Sequence, residues 1–428
     1  MKLHALPLFL LASLQTITAQ TWSPVGGEMN SHVNALYVYD DKLYVGGNFT
    51  NIDGDAAYGL AEWDGSDYSD RNTTLYDGIG VSNFATYQGQ LMVVGAFFDG
   101  LYGPGFVAVW DGTALVGEQY KLNSNVYDLL PVGDEYYVVG YFDLFEGTHY
   151  NHVAKFNGSA YETVGDGFES AIGDLCMYND QIIAGGGNND ALTYLDAGVW
   201  TDLGTNGPAG AQMDVFQGEL YGIGCFDDAV DGTSRYIAKW NGTTWEDVGG
   251  GLQGGLNCAR AIYATNNYLY VAGQFTGAGG VAVNNVAKWD GENWSAVGDG
   301  IPDKIINCLA VYDGYLYAGP AAQGFSDVYL WKFSEPVTEI EDHIVDGTTS
   351  LYVYPNPADN FITITSEGVD EQSAEISIID LSGKIIISQT MQTHSTQINI
   401  ETLAPGIYLA KRIDANGVVS VSRFVVER

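Results

Sequence analysis

One short apolar motif returns seven times along the chain. It reads LYVGG from Leu43, LMVVG from Leu91, YYVVG from Tyr136, IIAGG from Ile182, LYGIG from Leu220, LYVAG from Leu269 and LYAGP from Leu316, at intervals of 48, 45, 46, 38, 49 and 47 residues. A strand-like run and a turn precede each copy, as in VNALYVYDDK and NCLAVYDGY. A third apolar segment closes on an aromatic residue and a turn: LAEWDG at Leu60, VAVWDG at Val107, VAKFNG at Val153, IAKWNG at Ile237, VAKWDG at Val286. The fourth repeat, the shortest, has only a degenerate version at Tyr194 to Gly198. A fourth segment carries Trp or Tyr three residues before Val-Gly or Leu-Gly, as at Trp22, Tyr161, Trp200, Trp245 and Trp294.

Four short strands in about 45 residues is the arithmetic of a propeller blade. One such sheet cannot bury both faces, whereas seven in a ring can, and the ring removes free sheet ends. The expected fold is therefore all-β: a seven-bladed β-propeller over residues 21–334, followed by a smaller domain. The chain enters the ring on the fourth-strand motif at Trp22 and leaves it on the third-strand motif Leu330-Trp331-Lys332-Phe333. The first strand is thus predicted to complete the last blade, with Pro24 tolerated on an outer edge. Composition agrees: 55 Gly, 29 Tyr and only 16% charged residues suit sheets joined by tight turns, not helical bundles. At 46% hydrophobic residues the chain can build packed cores.

The Trp-Asp-Gly and Val-Gly rhythm resembles the kelch and galactose-oxidase-like propellers, and the extracellular repeats of fungal cortical polarity-marker proteins. The resemblance spans Trp22 to Phe333 and rests on turn and packing residues, so it implies a fold and no chemistry. It is not the WD40 repeat, whose His partner is missing here.

The two ends differ from the ring. Lys2, the apolar run Leu6 to Leu14 and the small Ala19 read as a secretory signal peptide over residues 1–19. The run is too short to span a bilayer, and no later stretch is long enough, so no direct membrane insertion is expected. An acidic linker, 335–350, leads into a tail from Leu351 with 5 basic and 9 acidic residues, against 10 and 44 in residues 21–350. Alternating runs such as FITITSE and Gly-marked turns predict a small Ig-like β-sandwich over 351–428. Four segments in order, Tyr354-Pro355-Asn356-Pro357, Asp380 to Lys384 with Gly383, Pro405-Gly406-Ile407-Tyr408, and Arg423 to Val426, resemble the type A sorting domain of the type IX secretion system of Bacteroidota. Arg423 stands where Lys is more usual. The resemblance implies the type IX machinery as partner and export across the outer membrane. It further implies removal of the tail, with release or attachment to surface lipopolysaccharide.

The net charge of −37, from 16 Lys and Arg against 53 Asp and Glu, excludes nucleic acid as a partner. There is no HExxH, GxSxG or P-loop. Gly249, Gly251 and Gly254 satisfy GxGxxG, but no helix follows and they belong to a repeated turn. The long second-to-third-strand connections carry the candidate sites. Asp53 and Asp55 form a DGD, and Asp227, Asp228 and Asp231 are equally dense; such loops suit calcium, the one cofactor expected, or are solvated turn acids. Tyr102, Phe145, His149 and Tyr150 could stack on sugars or pack within the loops. His149 and His152 have metal-like spacing without a third partner. Cys176, Cys225, Cys258 and Cys308 allow three disulfide pairings or buried free thiols. Arg235, Arg260 and Lys304 are the cations near these loops.

These features suit a secreted or surface-displayed, non-enzymatic binding propeller for a polysaccharide or cell-surface component. Two alternatives stay open: a secreted carbohydrate-active lyase or hydrolase, and a structural surface-layer component. The charge of residues 21–350 predicts a ligand that is neutral or recruited through calcium.

Overall fold

The structure, a computed structural model, describes residues 20–71, 80–99, 103–112, 115–117, 122–145, 148–186, 192–204, 208, 212–224, 226, 236–254, 257–322, 328–337, 350–354, 358, 360–367, 374–380, 385–391, 395–404, 406–414 and 419–426. The expected signal peptide and most of the acidic linker lie outside them. The described residues form strands joined by turns, with no helix. None of their elements is a helix long and apolar enough to cross a membrane. The chain divides into two units, residues 1–336 and 337–428.

Among the described residues of the first unit, six antiparallel sheets of four strands and a last one of six follow one another along the chain, with a two-stranded and a three-stranded sheet besides. We number the successive seven 1 to 7. Their first strands are Val33–Tyr39, Val81–Tyr87, Val126–Val132, Asp174–Tyr178, Gln212–Phe216, Asn257–Ala264 and Ile306–Tyr312. Two-residue turns with positive φ at both positions, such as Asp40-Asp41, Asn179-Asp180 and Asp313-Gly314, join first to second strand. That is the turn whose twist matches a hairpin. The second strands are the recurrent motif, buried along their length, as in Lys42–Gly47 and Leu269–Gln274. The degenerate fourth repeat still supplies its outer hairpin, Thr193–Asp196 with Val199–Asp202. Tyr68–Arg71 and Leu115–Gly117 are the fourth strands of sheets 1 and 2, where the sequence motif is not visible. The first strands lie side by side in chain order, and that of sheet 7 lies against that of sheet 1, closing a cycle.

The core is a series of layers between neighbouring sheets. One cluster joins Val33, Val45 and Trp63 of sheet 1 to Tyr312, Tyr317 and Leu330 of sheet 7. Another joins Phe216 and Tyr221 of sheet 5 to Leu269, Trp289 and Trp294 of sheet 6. The repeated Trp explains the order at the rim. Its indole N–H donates to the carbonyl that ends the preceding sheet: Trp200 to Val164 at 3.1 Å, Trp245 to Leu203 at 2.8 Å, Trp294 to Val248 at 2.8 Å and Trp22 to Val297 at 3.0 Å. The Gly after that carbonyl has positive φ, and a Cβ at Gly249 would sit 2.5 Å from the Trp289 ring. Val-Gly and Trp are thus two halves of one contact between sheets. Trp-Asp/Asn-Gly is a turn: Asp290 Oδ1 accepts the N–H of Glu292 and Asn293, and Asn157 Oδ1 those of Ser159 and Ala160. Only an acceptor is needed, so Asp and Asn interchange.

Strand Trp22–Met29 pairs antiparallel with Val328–Pro336, Trp22 opposite Phe333 and Pro24 opposite Trp331. The beginning of the unit therefore supplies the fourth strand of sheet 7.

The second unit holds a three-stranded sheet, Ser350–Tyr354, Phe361–Glu367 and Ser395–Asn399, and a four-stranded one, in order Ile385–Met391, Ala374–Asp380, Gly406–Asp414 and Val419–Val426. Ile362, Ile364 and Ile398 from the first pack in one cluster with Ile376, Ile378, Tyr408 and Ala410 from the second.

Candidate functional site: the axis of the first unit

Five of the first strands bulge on their way past the axis, and at Asn34, Arg260 and Asn307 the extra residue is itself polar. One extra residue enters between Val33 and Ala35, Val81 and Asn83, Val126 and Asp128, and Ile306 and Cys308. The strand of sheet 6 bulges twice, between Asn257 and Ala259 and between Ala259 and Ala261, so Arg260 is itself an extra residue. A bulge re-aims its side chain away from the pleat.

The result is a circuit of hydrogen bonds with one crossing at each junction. Asn34 Nδ2 donates to the Val81 carbonyl at 3.0 Å, and Asn83 Nδ2 to Asp128 Oδ1 at 2.7 Å. Asp128 Oδ2 accepts the Leu175 N–H at 2.8 Å, Asp174 Oδ2 that of Met213 at 2.7 Å, and Asp214 Oδ2 that of Ala264 at 2.7 Å. Arg260 Nη1 donates to Asn307 Oδ1 at 3.1 Å, and Asn307 Nδ2 to the Val33 carbonyl at 3.1 Å, back in sheet 1.

Three of these groups are carboxyls in a poorly solvated place. Burial raises the pKa of Asp128, and hydrogen bonds from Leu175, Leu129 and Asn83 oppose the rise. Asp214 is raised by burial too. Asp174 lies well above the usual carboxylate range, first from burial and then from the charges of Asp128 and Asp214. A cavity of about 180 Å³ borders Asp174, lined by all seven first strands or their lead-ins, with Asn34, Ser82, Tyr127, Gln212, Ile262 and Leu309 also in its wall. A wider hollow of about 490 Å³ is lined by His32, Asn34, Gln212, Gly224, Ala259, Arg260 and Asn307. Asn34 and Gln212 line both, so we call the wider one the mouth. His32 Nδ1 accepts the Ala322 N–H at 3.0 Å. This leaves the ring proton on Nε2 as a donor.

The residues singled out from sequence fall elsewhere. Asp53 occupies a hairpin turn at φ 53°, and its Oδ1 accepts the Glu28 N–H at 2.8 Å. Asp55 is exposed in the same hairpin. Asp227, Asp228, Asp231 and Tyr102 lie outside the described residues, as do Arg235 and Cys225. The described residues contain no group of three His, Cys, Asp or Glu placed to hold a metal. His149 is exposed and meets Asp143 at 3.1 Å. Phe145 lies in the two-residue strand Leu144–Phe145, paired with Thr148–His149. Tyr150 needs correcting as a sugar-stacking residue: it is 7% exposed and packs between sheets 2 and 3, its hydroxyl toward the Tyr161 carbonyl. An aromatic in a connection can turn inward when the adjoining core has room. Tyr141, which the sequence did not single out, is an aromatic left in the open, 63% exposed. His152 has φ 70° and its N–H donates to the Phe142 carbonyl, as Asn285 does to Phe275 at φ 65°. Both are therefore turn residues. Cys176 and Cys308 are free, with burial raising both thiols. In the tail, Tyr354 ends a strand, Gly406 begins one, and Tyr408 is buried with its hydroxyl on the Ala404 carbonyl. Pro355, Asn356, Pro357 and Gly383 lie outside the described residues.

Residues 352–427 match the family model described as a secretion system C-terminal sorting domain. No curated protein matches the chain. Among solved structures, the extracellular domain of the hybrid two-component system BT4673 of B. thetaiotaomicron is similar over 96% of this chain, with 11% identity and a TM-score of 0.50. The chain spans 59% of the length of that ectodomain. PorZ of Porphyromonas gingivalis, described as an essential surface component of the type IX secretion system, is similar over 92% of this chain and 70% of its own, at 14% identity and a TM-score of 0.38. A virginiamycin B lyase from Staphylococcus aureus is similar over 73% of this chain and 98% of its own, at 12% identity and a TM-score of 0.45. At such identities the first likeness shows a fold alone, and the other two are too loose to argue from. The chain is an all-β, propeller-like protein with a type IX C-terminal sorting domain, and it is secreted or carried at the outer-membrane surface.

Proposed function

We propose that this protein is a non-enzymatic binding propeller of seven blades, exported behind a signal peptide of residues 1–19 and an Ig-like sorting tail, which captures a polysaccharide or cell-surface ligand at the mouth of its axis. Blade count is supported by the closed cycle of first strands and by the closing pair Trp22–Met29 with Val328–Pro336. The observation that carries the binding reading is the composition of the mouth. Amides, one imidazole and one guanidinium line it, and these donate and accept hydrogen bonds as sugar hydroxyls require. The nearby carboxyls of Asp128, Asp174 and Asp214 are engaged by backbone or amide N–H groups of a neighbouring sheet. A glycan array probed with the secreted chain tests this reading. Binding that disappears on Gln212→Ala with Asn34→Ala is expected; binding unchanged by the pair moves the site to the outer loops.

The enzyme reading has one observation behind it. Asp174 borders the axial cavity with a raised pKa, the profile of a general acid. Release of reducing ends or unsaturated products from a bound glycan, abolished by Asp174→Asn, would establish it. For the tail, deletion of residues 352–427 in the native host should leave the remaining chain inside the cell envelope; full export of the truncated chain would overturn the tail's role.

A further inference from the structure

We propose that the mouth takes a carboxylate-bearing sugar, a uronate unit, with Arg260 receiving the carboxylate. This rests on the mouth being the binding site, and it replaces the neutral ligand expected from net charge.

Among the described residues of the first unit, most cations are committed. Lys42 pairs with Glu62, Lys155 with Glu135 and Glu162, and Lys239 with Glu219 and Glu246. Lys288 lies 4.0 Å over the Tyr268 ring and Lys332 lies 3.9 Å over Tyr315. Arg260 is different. It is exposed, lines the mouth, and among the described residues meets one polar partner, the neutral Asn307 Oδ1. A guanidinium has five donors in a planar fork, so most of them are left for a ligand. That fork matches a carboxylate through two parallel hydrogen bonds.

The placement is built. The second bulge of sheet 6, which the other first strands lack, makes Arg260 an extra residue. Asn307 holds it from behind, and its own amide is oriented by donating to the Val33 carbonyl. Around this single cation, His32 Nε2–H, Asn34 and Gln212 face a ligand with hydroxyl chemistry. Among the described residues of the wall, Gly224 and Ala259 are the apolar ones, and the rest carry polar groups that can meet hydroxyls.

Net charge then acts as a filter. The acidic surface repels polyanions at long range at low salt. At physiological ionic strength that field fades over about 8 Å, whereas a contact ion pair is screened less. One carboxylate placed on Arg260 is tolerated, and a densely charged chain is not.

The test is a calorimetric titration of the full secreted chain, at physiological salt, with sodium glucuronate and a methyl glucuronoside, each bearing one carboxylate, against glucose, acetate and an acidic peptide. Uronates should bind at least about tenfold more tightly than glucose, and Arg260→Gln should erase that margin while Arg260→Lys restores part of it. Arg260 is exposed, so the melt of Arg260→Gln should match the parent. Equal binding of glucose and uronate, unchanged by Arg260→Gln, would overturn the charge assignment and leave the mouth as a sugar site. Absence of binding by any sugar would overturn both readings. Peptide binding that depends on Arg260, with uronates inert, would replace the sugar by a peptide carboxylate.

Discussion

The rim and the axis of the first unit solve the same problem with different chemistry. At the rim a Trp indole reaches the last carbonyl of the preceding sheet, and a glycine beside it admits an aromatic ring. At the axis a carboxylate or amide reaches a neighbouring sheet. Both join sheets that share no strand pairing. The rim contact is neutral and indifferent to pH. The axial contact holds three ionisable groups, Asp128, Asp174 and Asp214, whose charged forms burial disfavours, and at Asp174 the charges of the other two add to the effect. The axis thus makes stability depend on pH beside the place where a ligand site is proposed.

The largest effect should come from opening the ring at its rim. Removing residues 20–27 takes away the partner of Val328–Pro336 and the Trp22 contact to Val297. We expect a fall in melting temperature on the order of 10 °C, with aggregation through the bared edge. An unchanged melt would show that this strand does not close the unit.

Single contacts of either kind should cost less. Trp294→Phe removes one of the two donors to the Val248 carbonyl and leaves the Gly251 N–H in place, at about 0.5–1.5 kcal/mol, by the same amount at every pH. Asp128→Asn should cost a similar amount for another reason. Both Asp128 oxygens accept, from Asn83 and from Leu175, so an amide must set a donor against a donor. Urea unfolding near pH 7 measures both. Equal stability of Asp128→Asn and parent would mean that its oxygens are not both engaged.

The rim was legible in the sequence and the axis was not. Trp, Gly and Asp or Asn recur at fixed offsets at the rim, because an indole, a positive φ and an Asx turn tolerate few replacements. The axial role needs only a polar atom of suitable reach. Asn34 and Asn307 fill it from the bulge, Asn83, Asp128 and Asp174 from other positions in their strands, and Asp214 from further along. No periodic letter survives that drift, and only Asp in an otherwise apolar first strand hinted at it. Arg260 was visible only as a loop cation, since its double bulge has no signature. Tyr150 misled because a loop aromatic looks alike whether it faces solvent or core.

Asp174→Asn should separate the two regions by pH. The folded pKa of Asp174 is raised, so the folded protein holds a proton that the unfolded chain has released between the two values. Its contribution is fully present below the unfolded value, near pH 4, and is lost as pH rises through the folded value. Each unit of separation corresponds to about 1.4 kcal/mol. An amide keeps an acceptor for Met213 and carries no charge. The variant should therefore melt higher than the parent at pH 7 and converge with it near pH 4. A gap of constant size at both pH values would remove ionisation as the cause.

The smallest effect is expected at the outer acids, which sharpen the contrast with the axis. Asp53 sits in an exposed turn at φ 53°, a conformation that Asn also adopts readily, and its carboxyl oxygen accepts the Glu28 N–H. Asn supplies the same acceptor, so Asp53→Asn should change stability by less than about 0.5 kcal/mol. Calcium provides the discriminating measurement. If Asp53 and Asp55 hold the ion, melts in calcium up to several times about 10⁻³ M should rise above those in magnesium, and Asp53→Asn should abolish the difference. If Asp53 acts only as the turn's acceptor, calcium and magnesium will shift parent and variant alike. A carboxylate in the hairpin would then be doing what an amide can do, whereas at Asp174 the same exchange changes the pH dependence.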